Sequence, residues 1–286
     1  MPVQENIINR DLQQLVLQTF QDEVNALKPG NVSRYSDGHG MTTADFYRSA
    51  ELVTPILCDA SLDFGQRILR SVETTMEQIG CNTNLGMLLL FTPVIMVIEK
   101  NGKHDAGQLA ISIDNLVTNI PVAQSQDVYK AIKLAAPGGL GHTDKFDVEL
   151  LPECNLYIAM QHAQQRDFIA KQYVTGFKEI INIGADVIKQ FTRRWNSVEW
   201  AVVACYLTFL GKFEDTHIER KYSRQVASGI KQQASQLARL FKNKNNPEDA
   251  KTALLDFDTE LKKKFINPGT SADLTAASLL IYKLMN

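Results

Sequence analysis

The segment that most constrains the fold is Leu85–Ile98, LGMLLLFTPVIMVI, which is apolar on every side and is interrupted only by Thr92 and Pro93. A helix without a polar face is stable only when other elements or lipid enclose it. This one falls short of the ~20 residues that span a bilayer. It therefore reads as the central helix of a globular core, kinked near Pro93. The rest of the chain supplies its wrapping. Asp11–Leu27 places Leu12, Leu15, Val16, Phe20, Val24 and Leu27 at helical spacing, and Phe46, Ala50, Val53 and Leu57 do the same after a cap at Thr42 or Thr43. Ser61, Asp105, Ser125 and Asn246 read as further helix starts, and Ser197 to Leu210 as a second very apolar helix. Asn155 to Trp195 reads as one long or broken helix. The loop from Pro137 to Glu153 holds the only plausible strand, at Lys145 to Leu151. About ten helices, without βαβ alternation or a short repeat, predict an all-α, single-domain bundle over residues 1–286.

Thirty basic against thirty-two acidic side chains leave a net charge of −2. That balance argues against a nucleic-acid partner held by counterion release and against a polybasic membrane anchor. Cys58, Cys81, Cys154 and Cys205 form no CxxC pair and read as buried, reduced thiols. The start MPVQENIINRD lacks a signal pattern, so a cytoplasmic location is expected. Nothing in the residues decides between a monomer and a homo-oligomer.

Function points to the polar run Lys28–Ala50, KPGNVSRYSDGHGMTTADFYRSA. Glycine lets a backbone amide approach an anion, Lys28, Arg34 and Arg48 can neutralise it, and an aspartate near a helix start can hold a hard cation. Thr42-x-x-Asp45 and Thr270-x-x-Asp273 share one form, and each follows a glycine loop. Either is explained as a capping box. Two such starts together also suit metal-bridged phosphate. Asn82 and Thr83 serve equally as caps of the apolar helix or as ligand contacts, and His39 between two glycines as a turn residue or a catalytic one. His162 and Arg166, one helical turn apart, suit a site wall or an exposed pair. His104-Asp105 has the form of a metal-dependent phosphohydrolase ligand pair, but it lies in a surface-turn composition where Asp105 serves as an N-cap.

Four stretches read together resemble the triphosphoribosyl-dephospho-CoA synthase family: Lys28-Pro29-Gly30 with Arg34 and Gly38-His39; Asn82-Thr83 with Gly86; Asp215-Thr216 with Arg220; and Asn267-Pro268-Gly269 through Ser271-Ala272-Asp273. The family commonly has histidine where this chain has Asn84, an Asp-Met that is absent after His39, and a histidine, arginine and paired glycines where this chain reads His217-Ile218-Glu219-Arg220-Lys221-Tyr222. In those departures it is similar to the branch known from methanogens and methylotrophs. The resemblance implies an enzyme that moves the triphosphoribosyl unit of ATP to the ribose 2′-hydroxyl of dephospho-CoA, or of a related acceptor, and releases adenine. It implies ATP as co-substrate with Mg²⁺. Asp45, Asp215 and Asp273 are the implied catalytic carboxylates, with Asp45 and Asp273 on the metal. Lys28, Gly30, Arg34, His39, Arg48, Asn82, Thr83, Gly86, Arg220, Gly269 and Ser271 are the implied nucleotide contacts. The four stretches are expected to converge on one cleft. A nucleotide-binding helical protein without catalysis and a metal-dependent phosphohydrolase remain the other readings, the loss of histidine at Asn84 favouring the former.

Overall fold

The computed structural model describes residues 2–102 and 105–286, with side chains from Arg10 onward. Fourteen α-helices follow one another: α1 Pro2–Asn25, α2 Thr43–Leu57, α3 Phe64–Gln78, α4 Leu85–Asn101, α5 Ala106–Thr118, α6 Val122–Ala135, α7 Leu156–Ala163, α8 Phe168–Val174, α9 Asp186–Trp195, α10 Val198–Lys212, α11 Thr216–Lys221, α12 Arg224–Lys242, α13 Lys251–Lys263 and α14 Gly269–Met285. A π-helical turn, Ile180–Ala185, leads into α9, and a 3₁₀ turn, Pro247–Ala250, leads into α13.

Among the described residues there is no strand, and 145–151 is a run of bends and turns. The extended piece expected there is absent. The stretch from Asn155 to Trp195 is indeed broken. Asp167 caps α8 on the Ile169 and Ala170 amides, and Gly176 and Phe177 take the left-handed conformation after it. Two caps sit elsewhere than the composition suggested: Asp63 in place of Ser61 closes a capping box with Gln66, and Pro121 precedes α6. His104 lies outside the described residues, and Asp105 caps α5 through the Gln108 amide at 2.9 Å.

The apolar segment forms α4, and its side chains from Met87 to Ile95 are buried. Proline at 93 removes the amide that would bond the Leu89 carbonyl. The hydroxyl of the buried Tyr173 donates to that carbonyl instead, at 2.6 Å. The helix therefore runs through Pro93 with its free acceptor satisfied from α8. One core extends from Leu12 to Leu284 and joins α4 with α1, α10 and α14. Cys58 and Cys205 lie within it as free thiols, whereas Cys81 and Cys154 are partly exposed, contrary to the expectation of four buried thiols. No single described helix is long and apolar enough to cross a membrane.

Candidate active site

A cavity of about 550 Å³ opens where α4, α11 and α14 begin, roofed by α6, α7 and the 136–148 loop. All four predicted stretches reach it: Asn31 and His39 from the first, Asn82–Gly86 from the second, His217 and Arg220 from the third, and Gly269, Thr270 and Asp273 from the last. Arg166, Asp167 and Lys221 complete its polar end. Leu89, Tyr129, Ile132, Phe146, Leu156 and Met160 supply an apolar part of the lining.

Two long helices aim their starts at the polar end. Asn82 Oδ1 accepts from the Leu85 amide at 3.0 Å, so it caps α4 from two residues before Asn84, whose own side chain caps nothing. The Gly86 and Met87 amides follow, and first-turn donors have no intrahelical carbonyl within reach. Thr83 lines the same wall and donates to Ser49 Oγ at 2.8 Å. α14 starts after Pro268, which has no side chain to cap it. Asp215 does so from a distance, accepting from Ser271 N at 2.7 Å and Ser271 Oγ at 2.8 Å while capping α11 through His217 N at 3.0 Å and Ile218 N at 3.2 Å.

Asp273 is one turn further along α14 and faces the cavity. Among the described residues no group hydrogen-bonds its carboxylate. A Cβ on Gly86 would fall 2.0 Å from Asp273 Oδ2, so only glycine at 86 leaves the carboxylate its place. Loss of water around it, followed by the charges of Glu23, Asp215 and Asp167, pushes its pKa well above the usual carboxylate range against the opposing pull of Arg220. Arg220 is paired with Asp167, and its buried Nε has no hydrogen-bond partner. A spare guanidinium donor beside two helix starts is an anion site in the making.

Other predicted residues are placed differently. Lys28 does not line the cavity: its ammonium is fully buried, ion-paired with Glu23 at 3.2 Å and donating to the carbonyls of Glu23 at 2.6 Å and Val32 at 3.1 Å. Burial lowers the Lys28 pKa and raises that of Glu23, and each partner opposes the other's shift. Gly30 turns the chain at φ +83°, donates to Asp258 Oδ1 at 2.8 Å and accepts from His39 Nε2 at 2.8 Å. Arg34 and Arg48 are exposed, paired with Glu199 at 2.7 Å and Glu51 at 3.4 Å. Asp45 lies outside the cavity lining and closes the α2 capping box, accepting from Thr42 N at 2.7 Å. Asp215 and Ser271 lie outside the lining, Asp215 Oδ2 taken by Ser271 N and Oγ and Oδ1 by the His217 and Ile218 amides. Lys28, Gly30, Arg34, Arg48, Asp45, Asp215 and Ser271 therefore shape or flank the site without lining it, while His39, Asn82, Thr83, Gly86, Arg220, Gly269 and Asp273 line it.

Asp167, Lys221 and His217 were not foreseen as site residues. Of the pair that suited a site wall or an exposed pair, Arg166 lines the cavity, while His162 packs its ring against Phe146 at 5.5 Å. The available signal was proximity in sequence: His217 and Lys221 flank Arg220, and Asp167 follows Arg166.

The family model for ATP:dephospho-CoA triphosphoribosyl transferase matches residues 9–286. The chain belongs to this family. A crystal structure provisionally assigned as a triphosphoribosyl-dephospho-CoA synthase from Archaeoglobus fulgidus is similar at a TM-score of 0.64 and 28% identity, with 84% of this chain and 98% of that one covered. No curated protein matches the chain. The family is one of transferases, so this transferase has an ATP-derived donor, and the phosphohydrolase and non-catalytic readings give way to group transfer.

Proposed function

We propose that the cavity is where the triphosphoribosyl unit passes from ATP to a hydroxyl of dephospho-CoA, with the triphosphate at the polar end. The observation that carries this is the meeting of the α4 and α14 starts with Arg166, Arg220 and Lys221 in the lining of one cavity. A chain of net charge −2 can hold a polyanion only where cations and helix dipoles are gathered locally. The apolar part of the lining suits a base or the acceptor's less polar arm.

In the reaction, the acceptor oxygen bonds C1′ of the ATP ribose as the bond from C1′ to adenine breaks. The electron pair of that bond leaves with adenine, the hydroxyl proton is released, and adenine takes one up. The triphosphate is an anchor throughout. Positive charge grows on the ribose ring as the bond loosens, and a carboxylate beside it stabilises that charge. Asp273 is the carboxylate in position. Asp45, tied into its cap, and Asp215, saturated by four donors, act at most through structure.

Asp273 would be the residue to hold Mg²⁺ here, since Mg²⁺ is usually bound by one or two carboxylates together with substrate phosphates. The donor set does not suit an all-protein cage: among the described residues no three ligating side chains cluster, and Asp45 is not at the cavity wall to be the second ligand. When bound, the ion would neutralise triphosphate charge. Incubation with ATP, Mg²⁺ and dephospho-CoA, followed by chromatography and mass spectrometry, tests the reading. Adenine should appear in step with a triphosphoribosylated acceptor. ADP, AMP or phosphate without adenine would overturn it.

A further inference from the structure

Two histidines face the cavity, and they differ in one respect. His39 is spent: its Nε2 donates to the Gly30 carbonyl at 2.8 Å, which fixes a turn at φ +57°. The imidazole of His217 has no hydrogen-bond partner on either nitrogen among the described residues. Its backbone, by contrast, is pinned, the amide donating to Asp215 Oδ1 at 3.0 Å and to Thr270 Oγ1 at 3.2 Å. A Cβ on Gly269 would lie 2.6 Å from Nδ1, so the ring rests against the bare Cα that opens α14. Position 269 therefore sets where the imidazole stands. Gly269 and Asp273 are four residues apart and share a helix face, and His217 and Arg220, three apart on α11, share another. The ring lines the same cavity as Arg220 and Asp273.

We propose that His217 is the general base of the transfer, accepting the proton of the acceptor hydroxyl as that oxygen attacks C1′. The proton moves to an unpartnered ring nitrogen, the new C–O bond forms, and the C1′–adenine pair departs on the base, which takes one proton from solvent. His217 returns its proton to solvent when the product leaves, so the cycle balances without another reactant. The surroundings keep the ring able to accept. Burial first, then the charges of Arg220 and Lys221 on its own helix and of His39 across the cavity, hold its pKa below the usual imidazole value, with Asp215 alone opposing. A general base must be unprotonated at the operating pH and works best with its pKa near it.

This inference rests on the transfer reading, and the test separates the two. Initial rates of adenine release from ATP, Mg²⁺ and dephospho-CoA are followed against pH for the wild-type chain and for His217→Gln, with a thermal melt of each. Wild-type kcat should fall on acidification with an inflection below the ordinary imidazole value of 6.5. His217→Gln should lose about 10²–10⁴-fold in kcat with the KM for ATP little changed, and the acid limb should vanish. A variant that keeps its rate and its acid limb overturns the proposal, as does one that loses activity through KM alone. If the variant does not fold, the wild-type profile decides: a rate that stays flat on acidification below that value overturns the base. Wild-type protein that makes no adenine sinks the transfer reading itself.

Discussion

Two segments of this chain carry nearly the same words. Lys28-Pro29-Gly30 leads to Thr42-x-x-Asp45, and Asn267-Pro268-Gly269 leads to Thr270-x-x-Asp273. They touch, since Asn31 Nδ2 donates to Asn267 Oδ1 at 2.8 Å. Their aspartates nevertheless do opposite things. α2 begins at Thr43, so Thr42 is the cap and Asp45 is the third helical residue, within reach of the cap amide. α14 begins at Gly269, one residue before its threonine, so Asp273 is the fifth helical residue and too far along to reach back. The capping is done by Asp215, and Asp273 is left to face the cavity. A shift of two positions in where the helix starts turns a structural carboxylate into a candidate catalytic one.

The largest expected effect tests the first segment as scaffold. Lys28→Ala should cost about 3–5 kcal/mol in urea unfolding, because it leaves Glu23 buried and unpaired. Undiminished stability with lost ATP binding would instead make that lysine a ligand. Next, Asp273→Asn should lower kcat by about 10²–10⁴-fold. It should also change stability with a definite sign. The folded-state pKa of Asp273 is raised, so its contribution is fully present in acid and is lost as the pH climbs through that folded value. Asparagine does not titrate, and without ligands the variant should gain on the wild type as the pH rises from the ordinary carboxylate range toward that raised folded-state value. The opposite trend would mean that the carboxylate is stabilised as an anion. Gly86→Ala should cost about 1–3 kcal/mol and impair turnover as well, since the added methyl takes the space of the Asp273 carboxylate. Full activity would show that Asp273 can act from elsewhere. The smallest effect belongs to Asp45→Ala: about 1 kcal/mol in a thermal melt, with kcat and KM unchanged. A collapse of turnover there would restore Asp45 to the site and erase the distinction between the segments.

The helical class was legible in the sequence because periodicity and the all-round apolar α4 are local properties. So was the convergence of the four stretches, through the family resemblance. What a residue does once it arrives was not legible. Lys28 looked like a phosphate ligand because pairing with Glu23, five residues before it, depends on burial that composition does not show. Asp45 and Asp273 could not be told apart, since the difference is a helix boundary moved by two residues and a cap supplied from 56 positions away. His217 carried no motif, and its vacant nitrogens and its seat on Gly269 are facts of tertiary structure.

Asp215 accepts four hydrogen bonds, two from the first turn of α11 and two from Ser271 on α14. The two helix starts that bear His217, Arg220 and Asp273 are thereby joined at one atom group before any substrate arrives. Ordering a wall on binding consumes part of the affinity that contacts provide. This wall is already ordered, so the free energy of gripping a triphosphate is left for the ligand; the 136–148 roof is held separately, by Asp147 accepting from the Thr143 amide at 2.9 Å and by Tyr129 donating to the Phe146 carbonyl at 3.1 Å.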